Sequence, residues 1–499
     1  MDVGERQSRL WWAAVGAATL AGLALRIAMA RGALWTDEAW SVIYAARAVD
    51  PVGVFLRINH DNNHHLYSLW LQAVGADASP FLMRLPAIVA GTLSVPLAAS
   101  AVARRSGWAG VIAAILFAVS PTMVNFGSEA RGYALMILAA LGFLWLSAEA
   151  VEGRERQGTP WWLALVAALG MLSHMTMAAP VGLVALWAYL EKRAALGPAK
   201  AMRDAGRLMG PALAATAAVV LFVFAAAAAS PTGMQLGGYL PFAWHEFFAG
   251  LNDMTGWTAG LDWLRDWVAP LALGCVAVWI GLRPPKWLGA RARLYALLIL
   301  GVPVGAALLQ SGNSGFGRYY LSGAIGLLLL GSEWIGRGLA KKAPVRAAAA
   351  VLLAVLVGTS LWRDSELIDL QRGRPDQAVA LMAQEAPSGA RVALEPKRLE
   401  GALTVAADKA RYPVTIAKGC AYADFVFAAQ RRWEITPATI DHCGIKMRAL
   451  GSSVTTSLTG EAWVLYAPER LQTAEAPVSG RPPTASDRRI SGRAGVAQG

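Results

Sequence analysis

From Leu10 to Leu361 apolar residues come in blocks rather than in alternation. The blocks run for about 17 to 25 residues, the length a helix needs to cross a ~30 Å hydrocarbon layer. About eleven of them, near 10–30, 82–103, 107–125, 132–150, 160–173, 176–190, 209–229, 264–282, 294–310, 319–336 and 346–362, predict transmembrane helices. The fifth and sixth are short, and the run from Trp161 to Leu190 can instead be a broken pair. Its unwound centre, "LSHMTM", would then face protein or water, because lipid does not tolerate unpaired backbone groups. Between the first two blocks, residues 31–81 are too many for a connector. There "EAWSVIYAARA" and "HLYSLWLQAVG" place apolar side chains on one face at helical spacing, which predicts outer-face loop helices.

Beyond Leu361 the pattern shortens. "ARVALEP", "YPVTIA", "ADFVFAA" and "AWVLYAP" read as strands and "DQAVALMAQEA" as a helix. The expected architecture is an all-α polytopic membrane bundle over 1–362, followed by a small C-terminal soluble α/β domain over 363–470. Residues 471–499 lack apolar periodicity and are expected to be disordered.

Composition agrees with a membrane protein: 56% of the 499 residues are hydrophobic and 16% charged, far from soluble averages. Charge supplies the orientation. Arg6/Arg9, Arg104/Arg105, Arg154/Arg156, the basic residues of 192–207, those of 283–293 and those of 337–346 fall in alternate loops, which the positive-inside rule places in the cytoplasm. The N-terminus is then cytoplasmic, and Asp37, Glu38 and the C-terminal domain lie on the periplasmic face of a bacterial inner membrane. Those loops carry most of the +12 net charge, so no nucleic-acid partner is required to explain it. A cleavable signal peptide is not expected, because the first block is long, contains Arg26 and is followed by acidic residues. Cys420 and Cys443 fall in the region assigned to an oxidising compartment, where a disulfide between them and two free thiols both remain open.

Four polar clusters meet the outer edge of the blocks: Asp37/Glu38, "RINHDNNHH" from Arg57, "GSEARGY" from Gly127 and "GNSGFGRYY" from Gly312. Ionisable groups beside hydrocarbon are costly unless paired or hydrated, so four clusters on one side point to a shared cavity. Scattered interhelical ion pairs are the alternative. No lysine precedes Lys192, and the outer cations of the first half are arginines, the better bidentate partners for phosphate or carboxylate, which points to an anionic substrate; high-GC coding bias is the alternative source of the same preference. His60, His64 and His65 lie close to Asp61, a group able to bind a divalent metal ion, relay a proton, or hydrogen-bond a substrate or neighbouring loops.

These motifs resemble, in order, those of the GT-C superfamily of membrane glycosyltransferases, and in particular glycosyltransferase family 39 with its protein O-mannosyltransferase and aminoarabinose transferase branches. "WTDEAW" is similar to the acidic pair of the first outer loop, "DNNHHLYSL" to H-P-P-L-Y-Y, and "MRLPAIVAGTLSVPL" to R-x-P-x-x-x-G. "SEARGYAL" is similar to Q-E-A-R-x-Y and "GRYYLSG" to R-Y-L-x-P. The sequence departs from the family at His64 and His65, which replace two prolines, and at Gly323, which stands near an expected proline.

The resemblance covers about residues 10–340. It implies transfer of a sugar from a polyprenyl phosphate donor, held among membrane lipid, to an acceptor hydroxyl of unknown identity, with inversion. By carry-over, Asp37 is the catalytic base and Glu38 its support, and Arg131, Arg318 and then Arg84 contact the donor phosphate. Asp61, His64, His65, Glu129, Tyr133, His174, Tyr319 and Tyr320 are adjacent to substrate or metal. Alternatives stay open for several of them: a helix N-terminal charge for Asp37, an interhelical ion pair for Glu129, interfacial belt positions for the tyrosines and an interhelical hydrogen bond for His174. A transporter or flippase of an anionic lipid-linked sugar is the competing function, and a structural membrane subunit a third.

Overall fold

The computed structural model describes residues 3–469 apart from 104–106, 232, 236, 239, 263, 265–266 and 431–435. Arg104, Arg105, the Arg6 side chain and the expected tail at 471–499 lie outside the described residues. The chain is mostly helical, with one six-stranded sheet near its C-terminus. Among the described residues, six helical stretches are long and apolar enough to cross a membrane: Ser8–Met29, Pro80–Ala103, Tyr133–Arg154, Pro198–Ala229, Arg291–Leu308 and Ala343–Glu385.

That is fewer than the eleven expected, and several of the remaining windows run past helix ends. Trp108–Val119, Thr159–Ser173 and Val268–Leu282 are apolar but hold only 10–17 residues. At ~1.5 Å per residue such helices fall short of a ~30 Å layer. The expected span 107–125 stops before Ser120, because Pro121 has no N–H to continue the ladder and opens a separate helix, Pro121–Phe126. The missing N–H also leaves the Phe117 carbonyl without its helical donor. Arg26, buried in the first helix, takes that role: its Nη2 donates to the Phe117 carbonyl (3.0 Å) and the Met123 carbonyl (3.3 Å). Its Nη1 donates to the carbonyls of Gly22 (2.9 Å) and Ala118 (3.3 Å). The bend that carries the chain toward residues 127–133 is therefore held from inside the bundle.

The broken pair is present. The Thr159–Ser173 helix ends at His174, whose backbone is extended, and a short 3-10 turn leads into the Ala178–Leu196 helix. Helices also form over Thr36–Arg47, Pro51–Leu56 and His65–Val74, within the long loop between the first two blocks.

The C-terminal strands are β1 (Ala390–Glu395), β2 (Val414–Ile416), β3 (Phe425–Gln430), β4 (Thr439–His442), β5 (Ile445–Ser452) and β6 (Ala462–Pro468). They pair in the order β2-β1-β3-β6-β5-β4, with β1 parallel to β2 and β3 and the other pairs antiparallel. The β4–β5 hairpin was not among the expected strands, since Lys446 and Arg448 interrupt its apolar pattern. It turns through Cys443 and Gly444, both at positive φ, as a two-residue hairpin turn requires. Cys443 is disulfide-bonded to Cys420. The Glu400–Ala410 helix packs on the Thr36–Arg47 helix, where Trp40 Nε1 donates to the Arg398 carbonyl (2.9 Å).

Candidate active site

Asp37 and Glu38 occupy the first turn of the Thr36–Arg47 helix and, being adjacent, point to different surroundings. Glu38 turns inward and is fully buried. Its Oε1 accepts from Arg84 Nε (2.8 Å) and from the Ala130 amide (2.7 Å), and its Oε2 accepts from Arg84 Nη2 (2.5 Å) and the Trp35 amide (3.3 Å). Burial alone would raise the Glu38 carboxyl. The Arg84 guanidinium, with help from the charge of Arg372 and the Ala130 amide, outweighs it and holds Glu38 below the usual carboxylate range.

Arg84 corrects one expectation. Its remaining donors go to the carbonyls of Ala30, Arg31 and Gly32 from Nη1 and of Ala33 from Nη2, at 2.9–3.2 Å. Fully buried and with all three nitrogens engaged, it ties together the turn before Asp37 instead of offering N–H groups to a phosphate.

Asp37 faces the two other arginines. Its Oδ2 lies 2.9 Å from Arg131 Nη1 and 3.4 Å from Arg318 Nη1, and its side chain keeps 28% exposure. Arg131 Nη2 donates to Asn62 Oδ1 (2.8 Å), and Asn62 Nδ2 donates to the Asp37 carbonyl and to Ser41 Oγ, both at 3.0 Å. Three segments far apart in the chain thus converge on one carboxylate, and Asn62 joins them. Its role was hidden in the sequence because only folding places its amide between Arg131 and the Thr36–Arg47 helix. Among the described residues, both Arg131 Nε and Arg318 Nε are buried without a hydrogen-bond partner.

Around Arg131 lies a stack of rings. Its guanidinium sits 5.0 Å from the Tyr133 ring, which is 4.2 Å from His174, which in turn stacks on His64 at 4.7 Å. Gly132 makes this approach possible: a Cβ there would lie 1.8 Å from the Ser173 carbonyl oxygen and 3.0 Å from His64 Cβ. Burial, with His174 and the nearby arginines, pushes the His64 imidazole far down, so it is neutral at physiological pH, and its Nε2 has no partner. Glu129 is buried with Oε1 3.4 Å from Arg131, and burial raises its carboxyl.

His65 stands apart. It stacks on Phe55 at 5.2 Å and burial alone lowers it to about 4. Asp61 pairs with His60 Nδ1 (2.7 Å) and accepts from the Gly237 amide (3.0 Å). Among the described residues no three His, Cys, Asp or Glu side chains converge in a group able to hold a metal ion. Tyr320 is buried and donates to the Ser314 carbonyl (2.8 Å), whereas Tyr319 lies beside Arg318, 5.7 Å from ring to guanidinium.

A cavity of about 640 Å³ opens between the Ala178–Leu196 and Arg291–Leu308 helices. Small residues line its apolar part, among them Ala178, Gly182, Gly301 and Gly305. Its polar end is made by Asp61, Asn313, Tyr319 and Tyr320, next in sequence to Asn62 and Arg318.

Residues 63–227 match the family model described as dolichyl-phosphate-mannose-protein mannosyltransferase. The match includes Arg84, Glu129, Arg131 and His174 and leaves Asp37 and Arg318 outside. No curated protein matches the chain. Spanning less than half of the chain, the family match supports a membrane glycosyltransferase of the GT-C type.

Proposed function

We propose that the protein moves a sugar from a polyprenyl phosphate donor to an acceptor hydroxyl on the periplasmic face of a bacterial inner membrane, with inversion at the anomeric carbon. Residues 1–362 form the transferase unit in this reading and 363–470 its periplasmic domain. The observation that carries it is the meeting of Asp37 with Arg131 and Arg318 beside a cavity whose apolar walls suit a lipid chain.

The chemistry follows from that arrangement. The prenyl chain lies between the Ala178–Leu196 and Arg291–Leu308 helices, and the phosphate reaches Arg131 and Arg318, whose N–H groups, including both unpartnered Nε groups, donate to its oxygens. Phosphate binding draws the two guanidiniums from Asp37 Oδ2 and leaves that carboxylate free to face the acceptor. The acceptor oxygen attacks the anomeric carbon and its proton passes to Asp37. The bond from that carbon to the phosphate oxygen breaks, and its electron pair stays on the lipid phosphate, where the arginines stabilise the charge. Neutral His64 and His174 add hydrogen-bonding groups without adding charge. Asp61, Tyr319 and Asn313 line the head-group end, where sugar hydroxyls need partners.

Incubating the purified protein with labelled polyprenyl phosphate sugars and membrane extract tests the reading. A new labelled glycoside is expected; vectorial movement of donor with no new glycosidic bond would mark a transporter. Two variant sets refine it. Arg131→Lys and Arg318→Lys, which keep charge but lose the planar fork, are each expected to lower kcat/KM for donor about 100-fold. Gly305→Leu places a side chain where a Cβ meets no atom within 4 Å, so the fold tolerates it while the cavity fills. The donor KM is expected to rise about tenfold with kcat little changed, as loss of uniform binding does.

A further inference from the structure

Arg372 follows the Ala343–Leu370 helix, in the stretch that the sequence assigns to the soluble region, yet it is 2% exposed. Its guanidinium enters the bundle. Nη1 donates to the Met29 carbonyl (3.2 Å), and Nη2 donates to the Asn125 carbonyl (3.1 Å) and Ser128 Oγ (2.9 Å). Met29 ends the first helix, just before the carbonyls held by Arg84 and the turn that leads to Asp37. Asn125 and Ser128 precede Glu129 and Arg131. One side chain from the far end of the chain therefore ties together the two backbone segments that carry the carboxylate and its principal arginine.

The segment that supplies Arg372 is itself fixed to the last strand. The Glu461 amide donates to the Arg372 carbonyl (3.4 Å), and Trp463 Nε1 donates to the Gly373 carbonyl (2.5 Å). Gly373, at φ +103°, passes so close that a Cβ would lie 2.0 Å from the Glu461 carbonyl oxygen. The Glu461 carboxylate then accepts from Thr36 Oγ1 (2.8 Å), the residue before Asp37. Beside this junction the charge of Arg372 favours the ionised forms of Glu38 and Glu129.

We propose that Arg372 is a positioning residue of the transferase, through which the C-terminal segment sets the separation of the Asp37 and Arg131 loops. The inference rests on the transferase reading above. It makes the C-terminal region a working part of the site instead of an appended domain, and it is indirect: Arg372 touches backbone, Asn125 and Ser128, not reactants. A misplacement of about 1 Å in such a constellation costs about 100-fold in rate.

The test uses full-length Arg372→Lys and Arg372→Ala, with transfer kinetics and hydrogen–deuterium exchange measured on the same preparations. Arg372→Lys is expected to lower kcat about 100-fold with little change in donor KM. Deuterium uptake should rise in segments 29–38 and 125–131 and not elsewhere in the bundle, and guanidinium ion should restore part of the Arg372→Ala rate. A kcat within about twofold of wild type, or unchanged uptake in both segments, would overturn the proposal. So would a uniform rise in uptake with no rescue, which marks a packing residue. If wild type transfers no sugar, the functional reading fails by itself, and the exchange pattern still decides whether Arg372 holds the two loops.

Discussion

Replacing Asp37 with Asn is expected to lower sugar transfer about 10³-fold, within the range that a general base contributes. The substitution keeps shape and leaves an oxygen to accept from Arg131 and Arg318, which now lie 2.9 and 3.4 Å from Asp37 Oδ2. In the proposed mechanism it removes the group that takes the acceptor proton. The loss should therefore appear in kcat, while donor binding holds or tightens because a carboxylate no longer competes with phosphate for the same guanidiniums. Steady-state kinetics with a varied polyprenyl phosphate sugar, alongside direct donor-binding measurements, separates the two. A rise in donor KM at unchanged kcat would make Asp37 a binding residue instead.

The second large effect falls on stability. Glu38→Gln leaves Arg84 with its charge buried and uncompensated, and removing one partner of a buried pair costs about 3–5 kcal/mol. Thermal unfolding in detergent should show a lowered midpoint for Glu38→Gln and for Arg84→Gln, with the double variant less impaired than the sum of the two singles. The pair also has a pH signature. Glu38 is held below its ordinary value in the folded chain, so its contribution is present above the unfolded carboxyl range, about pH 4.3, and is lost as pH falls through the lower folded value. Acid unfolding of wild type in that window should be steeper than that of Glu38→Gln.

The polar clusters at the block ends pointed to a shared place because an ionisable group beside hydrocarbon needs a reason. Asp37, Arg131 and Arg318 do share one place, and the sequence already carried that signal in three motifs. What it lacked was direction. Arg84 and Arg131 are both arginines near the outer ends of apolar blocks, and only packing turns the first toward four carbonyls and Glu38 and the second toward Asp37. His64 and His65 are adjacent, yet one joins the stack at His174 and the other stacks on Phe55.

Arg372 carried no pattern at all: it lies past the last block, and its partners are two backbone carbonyls, the Asn125 side-chain oxygen and one serine hydroxyl, which motif reading does not see. The span near 107–125 ends early for a related reason. Hydropathy does not register that Pro121 interrupts the helix it averages over, whereas the break at His174 lies where the sequence placed it. Strands with short apolar runs were legible, whereas β4 and β5 gain their place from the hairpin turn at Cys443 and Gly444.

The most direct test is an experimental structure of the protein with a polyprenyl phosphate bound. The phosphate is expected between Arg131 and Arg318, the prenyl chain between the Ala178–Leu196 and Arg291–Leu308 helices, and the Asp37 carboxylate released from both arginines toward the acceptor. A phosphate bound elsewhere, with Asp37 still paired to Arg131 and Arg318, would contradict the proposed mechanism.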